Sequence, residues 1–269
     1  MSPDHLACLV LLLLAAGLTA WVVSYMRQPP FTPVEWVVYF LSFLLSQFLW
    51  RTTRNRMLPV AATQGAVVVA NHRSSVDPFF IQRAVGARRV HWMVAREYVN
   101  LPAFGWFLKM GQVIPTNRGG IDTAATKQAI RYLRNGGLVG MLPEGRINMS
   151  SEFLLPARPG AIWIALKAGV PVVPCYIEGA PFDKVAHSPL LMPARVKVVI
   201  GEPLEIAASG EKPEDPAYVG QIMLQCMREI ARLAGQDDCE PRLAGKRWKP
   251  TDTELQQAMR DSDRRRSSG

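Results

Sequence analysis

From Leu6 to Met26 the chain runs for about 21 residues without a charged side chain, enough at roughly 1.5 Å per residue to cross a ~30 Å hydrocarbon core. Trp21 and Tyr25 near the end of the run suit a membrane interface, where amphipathic rings collect. A cleaved signal peptide fits less well, because Met1 to His5 holds no Lys or Arg and the run exceeds a typical signal core. A second apolar stretch follows from Pro33 to Trp50. Thr32 as N-cap, Pro33 at the first position and Glu35 at the third predict a capping box at its entry. Its roughly 27 Å of helix is marginal for a span, and Glu35, Tyr39, Ser42 and Ser46 share one face. Two readings therefore stand, a second span or a helix half-sunk in the interface. Arg51, Arg54 and Arg56 come next, and the positive-inside tendency puts the remainder of the chain on the cytoplasmic side. Residues 1–56 are read as an N-terminal membrane anchor.

Lys and Arg total 31 against 22 Asp and Glu, a formal charge of +9. Such a balance attracts polyanions, and the apolar N-terminus selects an anionic membrane face over nucleic acid. Cys8, Cys175, Cys226 and Cys239 are scattered, so neither a disulfide framework nor a zinc ribbon is indicated. No His/Cys/Asp cluster has ligand spacing, so no metal or cofactor is expected.

Residues 57–235 alternate short apolar runs with helical patterns. Val67–Val69, His91–Ala95, Gln112–Ile114, Leu138–Leu142, Val172–Ile177 and Val196–Ile200 read as strands. Pro78–Val85, Pro102–Met110 and Asp122–Asn135 read as helices, the last stopped by Gly136-Gly137. This is an α/β domain with a mostly parallel sheet covered by helices. After Gly201-Glu202-Pro203 the chain is expected to leave the sheet, with Pro213 to Pro216 as connector and Ala217–Leu233 as an amphipathic helix packed back on the domain. Residues 236–269 are polar and basic, with Lys246-Arg247-Trp248-Lys249 and Arg264-Arg265-Arg266, and read as a loosely ordered tail touching anionic lipid.

In parallel sheets chemistry collects on the loops leaving the strand C-ends, and three such exits carry polar groups. After Ala66–Ala70 comes Asn71-His72-Arg73-Ser74-Ser75-Val76-Asp77-Pro78. An imidazole beside a carboxylate here makes a general base held in one tautomer. Asp77 before Pro78 is equally a good helix N-cap, with His72 a hydrogen-bonded loop residue. After Gln112–Ile114, Arg118 precedes two glycines and its guanidinium could reach a phosphate in bidentate fashion. After Leu138–Leu142, Glu144 and Arg146 flank Gly145, which lets backbone approach a ligand. Taken singly, Arg118 reads as a surface cation and Glu144–Arg146 as a surface pair. His91 reads as a core or edge residue, and His187 has no partner in sequence. Trp92, Trp106 and Phe107 read as core or as the lining of an acyl groove, and Arg88, Arg89, Arg96 and Lys109 as a solvated basic face.

Asn71-His72-x4-Asp77, Gly111–Arg118, Pro143-Glu144-Gly145-Arg146 and Val170-Pro171-Val172-Val173-Pro174 resemble, in order, the four blocks of the glycerolipid acyltransferase family, which includes 1-acylglycerol-3-phosphate acyltransferases. The likeness covers residues 60 to 205. It implies that His72 acts as base on a glycerol hydroxyl, with Asp77 fixing its tautomer. The hydroxyl would attack the thioester of acyl-CoA or acyl-carrier protein without an acyl-enzyme. Asn71, Arg118, Glu144, Gly145 and Arg146 carry over as acceptor-site residues, with Arg118 on the phosphate. Val170, Pro171 and Pro174 carry over as a pocket wall, although their prolines could simply set a strand edge. The partners implied are an acyl donor, a lysophospholipid acceptor, with 1-acylglycerol-3-phosphate first considered, and membrane lipids. One departure stands out: the family's third block reads Glu-Gly-Thr followed by Arg, whereas Arg146 here takes the threonine position. The resemblance thus also admits a tafazzin-like transacylase or a lysophospholipid remodelling enzyme. A lipid-binding protein that keeps the fold without catalysis is the alternative from outside enzymes.

Overall fold

The structure is a computed structural model that describes residues 2–26, 31–102, 104–117, 122–182, 188–206 and 215–245. The chain divides into two compact units, Met1–Leu44 and Leu45–Gly269.

The first unit holds α1 (Pro3–Met26) and α2 (Pro33–Leu44). The expected capping box is present: the Thr32 N–H donates to Glu35 Oε2 at 2.7 Å and the Glu35 N–H to Thr32 Oγ1 at 3.4 Å. Phe31, Trp36 and Tyr39 cluster beside it, with ring centroids 5.0–5.2 Å apart. Along α1 the side chains of Leu6, Leu9 to Leu14 and Leu18 are exposed, while those of Trp21 and Tyr25 lie outside the described residues. Among the described residues no helix is long and apolar enough to cross a membrane.

The second unit is a seven-stranded sheet of β1 (Thr53–Arg54), β2 (Ala66–Ala70), β3 (Val90–Ala95), β4 (Ile114–Thr116), β5 (Leu138–Met141), β6 (Val172–Glu178) and β7 (Lys197–Ile200), in the order β1-β7-β6-β2-β5-β3-β4. All neighbours are parallel except β6 and β7. β2 sits mid-sheet and is buried throughout, which is why it reads as an unbroken apolar run rather than an alternation. Its residues still alternate between the two cores. Val67 and Val69 meet α6 (Thr123–Arg134), α7 (Gly160–Ala168) and α8 (Pro216–Leu233) on one face. Ala66, Val68 and Ala70 meet α3 (Asp77–Val85) and Trp50 on the other. The short helices α4 (Arg96–Val99) and α5 (Phe104–Met110) lead from β3 to β4.

Several expectations are corrected by this packing. Residues from Leu45 on, read with the anchor, belong to the second unit, and Trp50 is fully buried there with its indole N–H donating to the Pro189 carbonyl. The β4 strand begins at Ile114 rather than Gln112, because Gln112 turns off the end of α5 with φ 49° and its N–H on the Lys109 carbonyl. Helix α7 has no signature in the sequence pattern, since Gly-Ala-Ile-Trp-Ile-Ala-Leu carries no polar stripe. Its stop signal was nevertheless present, as Gly169 caps it in the left-handed region at φ 71°. After Pro203 the chain makes one more sheet contact, Leu204 with Val172. The presumed tail is part of the fold up to residue 245: the Ala157 N–H donates to the Arg242 carbonyl and the Ala244 N–H to the Ala157 carbonyl. The basic clusters at 246–249 and 264–266, like His187, lie outside the described residues.

Candidate active site

The loop from β2 to α3 and the segment from β5 to α7 interlock around His72. Its Nδ1 lies 2.9 Å from Asp77 Oδ2. The same oxygen accepts the backbone N–H groups of Arg73 and Ser74, each at 2.8 Å. Asp77 is fully buried, and its other oxygen has no donor among the described residues. The carboxylate therefore reaches back into the loop and does not cap α3, whose N-cap position is Val76 without a side-chain bond. Held this way, His72 keeps Nδ1 on the carboxylate and leaves Nε2 without a partner among the described residues. With Nδ1–H donated to Asp77, the second nitrogen carries the lone pair.

The backbone of His72 is fixed on both sides. Its N–H donates to Glu144 Oε1 at 2.7 Å, and its carbonyl accepts the Asn148 N–H at 2.7 Å. Glu144 Oε2 accepts the Leu155 N–H at 2.9 Å. Burial raises the Glu144 carboxyl to about 7, against the pull of these two N–H bonds. Both oxygens are thus used inside the protein, so Glu144 shapes the site from behind and does not face an acceptor. Asn71 is likewise turned inward: its amide donates to the Ile177 carbonyl at 3.0 Å and accepts the Ile177 N–H at 2.7 Å, extending the β2–β6 pairing by one side chain. Gly145 turns the chain at φ 70°, a conformation that costs a side-chain-bearing residue about 1 kcal/mol.

Two residues escaped the sequence reading although they hold the site together. The Arg73 guanidinium donates to the carbonyls of Asn148, Ser150, Glu152 and Phe153. Asn148, 2% exposed, donates to Glu152 and Phe153 and accepts from Ser150. Arg73 sat in view beside His72, but its partners lie some 75 residues on, a separation no local pattern reveals.

A family model described as Acyltransferase matches residues 51–178, which contain β1 to β6 and both interlocked loops. The 1-acyl-sn-glycerol-3-phosphate acyltransferase of Bacillus subtilis is 29% identical over 177 residues, covering 65% of this chain and 85% of that protein. The human 1-acyl-sn-glycerol-3-phosphate acyltransferase beta is 34% identical over 111 residues, 40% of this chain and 39% of its own length. The chain belongs to the glycerolipid acyltransferase family.

The protein is an acyltransferase, and its fold agrees with a solved member. The crystal structure of the 1-acyl-sn-glycerophosphate acyltransferase PlsC from Thermotoga maritima superposes with a TM-score of 0.58 at 19% identity, covering 88% of this chain and 91% of that one. Of the family blocks, the first and third meet at His72. Arg118, in the second, lies outside the described residues; Asp122 accepts the Asn117 and Ala125 N–H groups. These bonds hold the Asp122 carboxyl below its usual range. Arg146 is partly exposed. The fourth block does not reach the site as a wall. Pro174 is buried in the first half of β6 and Pro171 just before it, with Val170 packed on the α-helical core, whereas the site lies at the level of Ile177. Pro174 offers no N–H toward β7, and the Gly201 carbonyl at that point accepts from Arg56 instead.

The remaining candidates serve the fold. His91 is buried, stacks on Tyr132 at 3.7 Å and approaches the Gln112 carbonyl, with burial lowering its pKa. Trp92 is core, Phe107 stacks between Phe79 and Phe104, and Trp106 is exposed rather than core. The expected basic face is largely spent: Arg88 donates to three carbonyls, Arg89 to Met110, and Arg96 to Asn117 and Asp122.

Proposed function

We propose that this acyltransferase moves a fatty acyl chain from acyl-CoA or acyl-carrier protein to the free hydroxyl of a lysophospholipid, with 1-acylglycerol-3-phosphate as the acceptor. What supports the reading most is the His72–Asp77 pair at 2.9 Å, with Nε2 free of protein partners among the described residues. In the proposed step Nε2 takes the proton of the acceptor hydroxyl as its oxygen forms a bond to the thioester carbonyl carbon. The tetrahedral adduct collapses, the C–S bond breaks, and the departing thiolate receives the proton from the imidazolium. Asp77 offsets the imidazolium charge while it lasts, as the acid of a hydrolase triad does. Neither Cys175 nor Cys226 competes as an acyl carrier, because both are buried and burial pushes the Cys175 thiol up to about 12. Arg118 is proposed to bind acceptor phosphate.

The enzyme is proposed to work at a membrane, attached through the exposed leucines of α1, with its catalytic unit on the cytoplasmic side. His72→Ala in isolated membranes is expected to lower acyl transfer by at least the roughly 10²–10⁴-fold that general-base help supplies; retained activity overturns the mechanism. A second reading rests on Arg146 in the third block, namely a transacylase that takes its acyl chain from another phospholipid. Turnover without any added thioester would establish it.

A further inference from the structure

One guanidinium at the rim of the site has no task in the fold. Arg158 follows the loop that leaves β5, and its backbone N–H donates to the Pro143 carbonyl at 2.9 Å, tying it to the residue before Glu144. A Cβ built on Gly145 would meet Arg158 Nε at 3.5 Å and Cδ at 3.8 Å. The side chain therefore lies along the bare face of the turn whose neighbouring Glu144 holds the His72 backbone. It is exposed and has no hydrogen-bond or ion-pair partner among the described residues. Arg56, Arg73, Arg88 and Arg242 contrast with it, each donating to carbonyls or a carboxylate. Nor does Glu144, next to Gly145, neutralise it, since both Glu144 oxygens accept backbone N–H groups in the interior. A planar fork of donors left open beside a glycine fits an anion with two oxygens in one plane.

We propose that Arg158 binds the phosphate of the lysophospholipid acceptor and so brings the acceptor's hydroxyl end toward His72. The assignment rests on the acceptor class proposed above and adds a second residue, after Arg118, to the recognition of its phosphate. The absence of a Cβ at Gly145 keeps the space beside Nε open, so one turn serves both the His72 backbone and the phosphate.

The test uses the full chain in detergent or membranes, with wild type, Arg158→Ala and Arg158→Lys. Acyl transfer is measured with 1-acylglycerol-3-phosphate, and binding of glycerol 3-phosphate is read separately as a rise in melting temperature. Arg158→Ala is expected to raise KM for the phosphate acceptor at least about tenfold and to reduce the glycerol 3-phosphate stabilisation. Arg158→Lys, a point charge without the fork, is expected to recover part of both. Unchanged KM and unchanged stabilisation in Arg158→Ala overturn the proposal while leaving the acceptor class intact. A wild type that acylates no lysophospholipid yet is stabilised through Arg158 overturns the acceptor class and keeps the phosphate site. A wild type showing neither property overturns both. Should Arg158→Ala fold poorly, as its unliganded melting temperature would show, the comparison of wild type with Arg158→Lys decides.

Discussion

At the scale of single residues, the same carboxylate chemistry is used in two opposite ways. Asp77 gathers His72 Nδ1 and two backbone N–H groups on one oxygen, and its partners lie within five residues, so the pair was legible from spacing alone. Glu144 bridges His72 and Leu155 from an interior position, and its contact with His72 spans 72 residues, so its burial and inward direction were not. Its carboxyl titrates at about 7 because burial disfavours the charge. In the unfolded chain it ionises at an ordinary lower pH, so between the two values the folded state holds the extra proton. Stability is accordingly full below the unfolded pKa and is lost as pH rises through about 7. The decline amounts to at most about 3 kcal/mol. Glu144→Gln is expected to remove this decline between pH 5 and 7.5, read by melting temperature. It should also lower stability at pH 5 by roughly 1–3 kcal/mol, because its amide NH₂ must face one of the two N–H donors.

At the scale of elements, close approaches decide where strands and helices sit. Gly140 in β5 is one: a Cβ there would lie 2.7 Å from the Trp92 ring on the neighbouring β3. Gly140→Ala is expected to destabilise by roughly 1–3 kcal/mol through overpacking, lowering the melting temperature by several degrees. Adding Trp92→Leu should recover part of that loss, since the two positions share one space. Six of the seven strands were legible within a residue or two, because buried parallel strands are short Val-rich runs. The exception in kind is β1, two residues long, which exists only because Thr53 and Arg54 find Lys197 and Val198. Helix α7 was hidden for the complementary reason that its half-buried side is Trp163, Leu166 and Ala168, so no polar stripe sets its period.

At the scale of the whole molecule, the two units raise different expectations. The leucines of α1 are more than 40% exposed, and full burial in lipid would contribute up to roughly 1.5–3 kcal/mol per side chain. Leu11→Lys with Leu13→Lys is expected to move the protein from the membrane pellet to the supernatant on fractionation. An unchanged pellet would remove α1 from the attachment. The arginines after α2 carry less weight in this respect than their sequence position implied. Arg54 donates to the Ala84 carbonyl and Arg56 to Ile200 and Gly201, so both are tied into the catalytic unit.

What the sequence determined by itself is local: the capping box at Thr32, the Val-rich strands, and the pairing of His72 with Asp77. Each depends on neighbours a few residues apart, and on blocks whose order survives in one dimension. Only the tertiary structure decided which way the polar groups face. It turned Asn71 and Glu144 inward, kept Pro174 within the sheet, bound Arg73 and Asn148 into the loops around His72, and brought Arg158 beside Gly145. Those outcomes depend on contacts between β2 and β5 exits that are distant in sequence and adjacent in space, where burial alone sets whether a charge meets solvent, substrate or backbone.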